Sequence, residues 1–225
     1  GDFVDYSGET AGVDVDLGSD FGIDGGGATD TLTSIEHVIG SDFADTIVGQ
    51  DNESNQLFGG LGSDVLIGGL GAQTLNGGAG DDAIEGGAGA DDLTGGDGAD
   101  FFQYLSTADL QVVAANQTVA AAGVSVDLIN DFTGTADGGT DAFLFDTGQG
   151  GFDEVGLTAT FATIGAAYDG TNSGVGAGSA YIFDGQHLIF DNDVAVAGYQ
   201  VIADTNGATV AEADLQSFGG GQLEP

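Results

Sequence analysis

The sequence reads Gly59-Gly60-Leu61-Gly62-Ser63-Asp64-Val65-Leu66-Ile67 at the start of five consecutive nine-residue units. The later units begin at Gly68, Gly77, Gly86 and Gly95. All five fit the pattern G-G-x-G-x-D-x-U-x, in which U is a large apolar residue, except that Gln73 replaces one aspartate. A fixed period of this kind predicts a repeat architecture, in which each unit buries its apolar face only by stacking on its neighbours.

Weaker copies of the unit precede these five. One copy keeps the aspartate as Asp45, and the next contains one extra residue and has Asn55 in that place. Residues 25–32 also resemble the repeat pattern, at an irregular spacing from the next copy, and include Asp30. We therefore expect the array to begin well before the first regular unit.

Each unit divides into a glycine-rich turn and a short strand. Glycine tolerates positive φ and close backbone approach, so the first half of the unit predicts a tight turn that exposes backbone carbonyls. The x-U-x triplet predicts a strand whose central side chain points inward. The predicted core ladder consists of Ile47, Leu57, Leu66, Leu75, Ile84, Leu93 and Phe102.

If two units make one coil of a parallel roll, turns on the same edge lie 18 residues apart. The first edge then carries Asp64, Asp82 and Asp100, and the extra residue upstream brings Asp45 into line. The second edge carries Asn55, Gln73, Asp91 and Asp109. Three other aspartates fall at variable positions of the unit and are predicted to be solvated: Asp81, Asp92 and Asp97.

Composition indicates which ligand the turns bind. The chain has 37 Asp and Glu residues, no Lys or Arg and no Cys, which gives a formal net charge of −37. A compact body with this charge repels itself unless cations bind to it. Carboxylate and carbonyl oxygens suit Ca²⁺, which takes six to eight oxygen ligands. We therefore predict several Ca²⁺ ions between stacked turns, with binding coupled to folding. The predicted ligands in the repeats are Asp30, Asp45, Asp64, Asp82, Asp91, Asp100 and Asp109.

The five units resemble the calcium-binding nonapeptide repeats of the RTX (repeats-in-toxin) family. Downstream, residues 127–132 (Asp-Leu-Ile-Asn-Asp-Phe) and 141–145 (Asp-Ala-Phe-Leu-Phe) resemble the segment that closes many RTX rolls. The resemblance implies that Asp127, Asp131 or Asp141 holds a terminal ion. It also implies an all-β fold, a parallel β-roll followed by an antiparallel β unit. The expected domains are an irregular β entry (1–39), the roll (40–110) and a C-terminal β cap (111–225).

Several function classes are disfavoured by the sequence. Without a basic patch, nucleic acid and anionic membranes are poor partners. No apolar run reaches the roughly 18–20 residues of a membrane helix, and no signal peptide opens the chain. Paired carboxylates could serve glycoside hydrolysis, but they fall on turn positions, and no catalytic triad is visible. We therefore expect a non-catalytic protein.

Two roles stay open for a secreted, extracellular or cell-surface module of this kind. One is a structural role, in which calcium drives self-association or binding to other subunits of a surface layer, filament or biofilm matrix. The alternative is the C-terminal folding and secretion module of a larger RTX hydrolase, toxin or adhesin. Residues 199–215 resemble the C-terminal segment of type I secretion substrates, which implies the type I apparatus as a partner. The C-terminal third is thus either a secretion signal or an assembly interface.

Overall fold

The structure is a computed structural model of the 225-residue chain. It describes residues 1–51, 53–106, 110–114, 126–134, 139–146, 180–183, 187–191, 198–210 and 214–218. The chain divides into two compact units. Unit 1 contains residues 1–103 and 129–132, and unit 2 contains residues 104–128 and the described residues from 133 onward.

Short strands separated by turns make up unit 1. The strands that begin in it are β1 (Phe3–Asp5), β2 (Asp14–Asp16), β3 (Phe21–Ile23), β4 (Thr29–Thr31), β5 (His37–Ile39), β6 (Thr46–Val48), β7 (Gln56–Leu61), β8 (Val65–Gly69), β9 (Thr74–Ala79), β10 (Ala83–Gly87), β11 (Asp92–Asp97) and β12 (Phe101–Tyr104). A single 3₁₀ turn, Leu17–Ser19, follows β2. From β5 to β12, each strand covers the x-U-x part of one nine-residue repeat. Strands β7 to β11 also include the two glycines that begin the next repeat.

The strands of unit 1 alternate between two sheets. One sheet has the order β1-β5-β7-β9-β11, and the other has the order β12-β10-β8-β6-β2-β3-β4. All the repeat strands pair in parallel with the strand two units away, so that Leu57 aligns with Leu75 and Leu75 with Leu93. Two nonapeptides therefore make one coil, which confirms the predicted parallel β-roll.

The core of unit 1 lies between these two sheets. Every member of the predicted apolar ladder is at most 1% exposed: Ile47, Leu57, Leu66, Leu75, Ile84, Leu93 and Phe102. Alternation of side chains along each strand sends the flanking residues outward, and these are mostly half-buried or exposed. The ladder is thus confirmed residue by residue, because a period of nine places one inward side chain in every strand.

An antiparallel hairpin closes the N-terminal end of one sheet. Strand β3 pairs with β2 on one side and with β4 on the other, both antiparallel. The hairpin packs on Tyr6, which is buried and donates a hydrogen bond of 3.0 Å from its hydroxyl to Asp30 Oδ2. A Cβ at Gly22 would lie 2.6 Å from the Tyr6 hydroxyl, so a larger residue there would displace the Tyr6 side chain. Residues 25–32 therefore form the β3–β4 turn and a hairpin strand in place of the degenerate repeat predicted from the sequence.

Unit 2 contains mixed β-structure. Its strands are β13 (Gln111–Ala114), β14 (Asp127–Ile129), β15 (Ala142–Asp146), β16 (Ala180–Phe183), β17 (His187–Asp191), β18 (Gly198–Asp204) and β19 (Leu215–Phe218). Strand β18 pairs antiparallel with β13 and β17, and β16 pairs antiparallel with β17. The antiparallel strands predicted near the C-terminus are thus confirmed. Two further pairs are parallel, β14 with β18 and β15 with β19.

Within the described parts of both units, no helix is long and apolar enough to cross a membrane.

Candidate calcium sites

The turns of the regular units depend on a glycine at their second position. Gly60, Gly78 and Gly96 have φ values of 121°, 112° and 111°, a region that other residues rarely adopt. Space is limiting as well, because a Cβ at Gly78 or Gly96 would overlap the carbonyl oxygen of the equivalent glycine in the preceding coil. Successive turns therefore stack with their backbones in direct contact.

The sixth position of each unit forms a ladder along the first edge of the roll. The backbone N–H of Asp45 donates to Asp64 Oδ1 at 2.8 Å, across 19 residues. The N–H of Asp64 donates to Asp82 Oδ1 at 2.8 Å, and the N–H of Asp82 donates to Asp100 Oδ1 at 3.0 Å, each across 18 residues. The structure thus aligns these four aspartates as their spacing predicts.

The second edge has the same arrangement with other side chains. The N–H of Asn55 donates to Gln73 Oε1 at 2.7 Å, and the N–H of Gln73 donates to Asp91 Oδ1 at 2.9 Å. All three of these sixth-position residues are buried. Asp109, the next residue predicted on this edge, lies outside the described residues.

The second carboxylate oxygen of the ladder aspartates faces the glycines. Asp64 Oδ2 and Asp82 Oδ2 are buried and accept no hydrogen bond from the protein. A Cβ at Gly59 would overlap Asp64 Oδ2 and would lie 2.6 Å from the carbonyl oxygen of Gly77 in the next coil. Carboxylate and carbonyl oxygens from two successive turns therefore meet above the first glycine of the unit.

Burial makes these carboxylates difficult to ionise without a counterion. It raises the pKa of Asp64 to about 7, and the negative charges of Asp82 and Asp45 add to this effect. The hydrogen bond from the Asp45 N–H opposes the increase without cancelling it. Burial also raises the pKa of Asp82, with a further contribution from the charge of Asp81. A cation bound at these oxygens would stabilise the ionised form.

The donor set matches the preferences of a hard cation. Each turn that carries a ladder aspartate supplies one buried carboxylate, and no group of three or more His, Cys, Asp or Glu side chains gathers in the described part of the chain. The other donors beside Asp64 Oδ2 are backbone carbonyl oxygens, such as that of Gly77. Oxygen ligands from both carboxylates and carbonyls are the ones that Ca²⁺ takes in flexible coordination, so the residues fit this ion.

The remaining residues predicted as ligands in unit 1 have partners within the protein. Asp30 lies in hairpin strand β4 and accepts from the Tyr6 hydroxyl, away from any repeat turn. Asp131 accepts from the N–H groups of Gly95 and Gly96, at 3.0 and 2.9 Å. Its carboxylate thereby covers the first two amides of the last regular unit. The resemblance implied that Asp131 is a ligand of a terminal ion, which stays a prediction, and the sequence did not indicate these amide contacts.

In unit 2 the two predicted ligands accept hydrogen bonds from groups of the protein. Asp127, in β14, is buried and accepts a hydrogen bond of 3.0 Å from the Tyr104 hydroxyl. Asp141 is buried and its Oδ2 accepts from the backbone N–H and the hydroxyl of Thr133, at 2.8 and 3.2 Å. The role of Asp127 and Asp141 as ligands of a terminal ion stays a prediction.

Comparison with known proteins agrees with the geometry of the turns. Residues 51–82 and 67–102 match the family described as RTX calcium-binding nonapeptide repeat (4 copies). No curated protein matches the chain. The matched residues cover the turns of Asp64, Gln73, Asp82, Asp91 and Asp100. The chain therefore contains RTX calcium-binding nonapeptide repeats, a kind of repeat that binds several Ca²⁺ ions and is typical of secreted proteins.

Proposed function

We propose that this chain is an extracellular module that folds when Ca²⁺ binds to its repeats and then serves a structural or assembly role. The observation that carries the proposal is the row of buried aspartates along the first edge, with unpartnered Oδ2 atoms at Asp64 and Asp82. In this proposal the ions are held by Asp64, Asp82, Asp91 and Asp100, together with the carbonyl oxygens of the glycine turns.

Calcium would supply charge neutralisation and cross-linking. The ladder places carboxylates of successive coils in one buried row, and each coil contributes only part of the oxygen set around an ion. An ion therefore finds its full set of ligands only after two coils have stacked, which couples binding to folding. The formal charge of −37 adds a repulsion that spans the whole chain until cations bind.

A non-catalytic role is supported by what the acidic residues contact. The buried carboxylates of the repeats accept hydrogen bonds from backbone amides of neighbouring turns, and they are set in parallel rows and not in a convergent cleft. Surface layers, filaments and matrix proteins need a rigid, repetitive body of this kind. Strand β1 is an edge strand with Phe3 half exposed, and an edge strand can pair with a further strand.

The alternative is that the chain is the C-terminal folding and secretion module of a larger RTX hydrolase, toxin or adhesin. Unit 2 favours this alternative, because most of it lies beyond the matched repeats and forms its own β-structure. In that case the partner of the C-terminal segment would be the type I secretion apparatus.

The test is a titration of Ca²⁺ into metal-free protein, followed by circular dichroism and light scattering. We expect a cooperative gain of β-structure, followed by a rise in scattering as subunits associate. Mg²⁺ is the matched control, since it demands a rigid octahedral site and should not replace Ca²⁺. Equal folding in chelator would refute the calcium mechanism, whereas folding without any association would favour the appended module.

A further inference from the structure

Asp45 differs from the other aspartates of its row, because both of its carboxylate oxygens are engaged by the protein. Oδ1 accepts from the backbone N–H of Val13 and from the Ser41 hydroxyl, both at 2.7 Å. Oδ2 accepts from the backbone N–H of Ser41 at 2.6 Å. Asp64 Oδ2, one coil further on, accepts no hydrogen bond. The Asp45 carboxylate is thus satisfied without an ion.

The residue at the second position of the unit explains this difference. Where that residue is Gly60 or Gly78, φ is positive and the N–H does not bond to the aspartate of its own unit. Ser41 occupies the same position without positive φ, and its N–H turns toward Asp45. The next unit behaves alike, since the N–H of Gln50 donates to Asn55 Oδ1 at 2.6 Å. A residue other than glycine at this position therefore closes the turn with a hydrogen bond.

On the second edge, side-chain amides make contacts between coils. Asn55 Nδ2 donates to the carbonyl oxygen of Glu36 at 2.8 Å, and Gln73 Nε2 donates to that of Glu53 at 2.9 Å. Both amide residues are at most 2% exposed. Each carbonyl belongs to the preceding coil, where a cation between turns would also find carbonyl oxygens. A neutral amide supplies the donor without bringing charge into the buried row.

From these contacts we infer that Asp45, Asn55 and Gln73 contribute no ligand to Ca²⁺, and that hydrogen bonds replace the ion at their turns. The calcium-binding part of the roll then begins at Asp64 on the first edge and at Asp91 on the second. This inference deepens the proposed function and rests on it. It departs from the expectation that Asp45 is a ligand, which rested on the spacing of the repeats.

Two consequences follow for the N-terminal coils. Their turns need no cation, and their core is already formed by buried side chains of the hairpin and first strands, among them Tyr6, Val15 and Val38. They therefore stay folded when calcium is removed and offer strands β6 and β7 as a template on which the calcium-dependent coils stack.

The test counts bound ions by native mass spectrometry of the full chain at saturating Ca²⁺. Gln73→Asp should bind one ion more than the wild type, because it restores a carboxylate at a turn whose second residue, Gly69, already has positive φ. Asp45→Asn should bind as many ions as the wild type. An unchanged count for Gln73→Asp, or a lower count for Asp45→Asn, would overturn the inference.

One further variant separates this inference from the proposed function. Hydrogen exchange then tests the inference on the wild-type chain, where misfolding of a variant plays no part. Asp82→Asn should lose an ion, and if it does not, the ligand assignment of the proposed function fails while the Gln73 result still stands. Hydrogen exchange in chelator should leave the N–H groups of Val13 and Asn55 protected and that of Asp82 unprotected. Equal loss of protection at all three amides would show that the N-terminal coils also depend on calcium.

Discussion

In the proposed function, a single carboxylate oxygen distinguishes a turn that needs an ion from one that does not. Oδ1 of Asp64, Asp82, Asp91 and Asp100 anchors the preceding coil by accepting a hydrogen bond from a backbone N–H there. Oδ2 is available for a cation at Asp64 and Asp82 but is used by Ser41 at Asp45. Whether Oδ2 accepts a hydrogen bond within its own turn therefore depends on the residue four positions before the aspartate.

Replacing Asp82 by Asn should weaken calcium binding. The change keeps the size of the side chain and removes the charge of a fully buried ligand, an interaction worth roughly 1.5–3 kcal/mol, or about 10- to 100-fold in affinity. Isothermal titration calorimetry measures the effect. Asp97→Asn is the matched control, because it removes the same charge from an exposed position two repeats further on and should change affinity less than about twofold. Equal effects of both variants would mean that net charge, and not ligation, governs binding.

Calcium binding and metal-free stability should depend on pH in opposite directions. The pKa of Asp64 is about 7 in the folded chain against 3.8 ordinarily, so the metal-free fold binds the proton more tightly than the unfolded chain. The contribution of Asp64 to the stability of the metal-free fold is therefore complete below about pH 3.8 and is lost as the pH rises through about 7. Calcium must displace this proton, so its affinity should fall about tenfold per pH unit below 7.

Circular dichroism of calcium-free protein between about pH 5 and 8, above the isoelectric point near 4.1, should show more β-structure at the acid end. The variant Asp64→Asn should flatten both pH profiles, since it cannot titrate. A wild-type profile that is level over this range would contradict a raised pKa at Asp64.

Among the elements, the strands depend on one inward residue each. Leu75 of β9 is fully buried and lies in register between Leu57 and Leu93. Leu75→Ala should lower the free energy of unfolding at saturating Ca²⁺ by about 2–5 kcal/mol, measured by chemical denaturation. The exposed Leu61 lies next to this array, and Leu61→Ala should cost less than about 0.5 kcal/mol. A similar loss of unfolding free energy for both variants would mean that Leu75 is not part of the core.

The elements that follow from the nine-residue period could be predicted from the sequence. Elements that depend on a contact outside the repeat pattern could not. The ladder of Leu75 and the two edges of turns follow from spacings of nine and 18, because identical units must stack identically. The β3–β4 hairpin depends on the tertiary contact of Tyr6 with Asp30, and nothing in the repeat encodes it. The same applies to Asp131, whose partners lie 35 and 36 residues away.

At the scale of the whole molecule, charge screening should not replace calcium. In about 1 M NaCl the Debye length is about 3 Å, so repulsion among exposed carboxylates is largely removed. Buried carboxylates such as Asp64 and Asp82 stay desolvated and unpaired. Metal-free protein in about 1 M NaCl should therefore recover only part of the β-sheet signal seen with Ca²⁺. Full recovery by NaCl alone, measured by circular dichroism, would show that long-range repulsion is the sole barrier to folding.

The coil of two units also restricts how this chain can change length in evolution. Consecutive repeats lie on opposite sheets, and the two edges carry different side chains, aspartates alone on the first and Asn55, Gln73 and Asp91 on the second. Each end of the roll also makes a specific contact. The hairpin pairs with β2 at one end, and Asp131 accepts a hydrogen bond from Gly95 of the last regular repeat at the other. Duplication of one nonapeptide would exchange the edges beyond it and misplace an end. Duplications or deletions of 18 residues preserve both edges and both ends, so gene lengthening should be accepted in steps of two repeats.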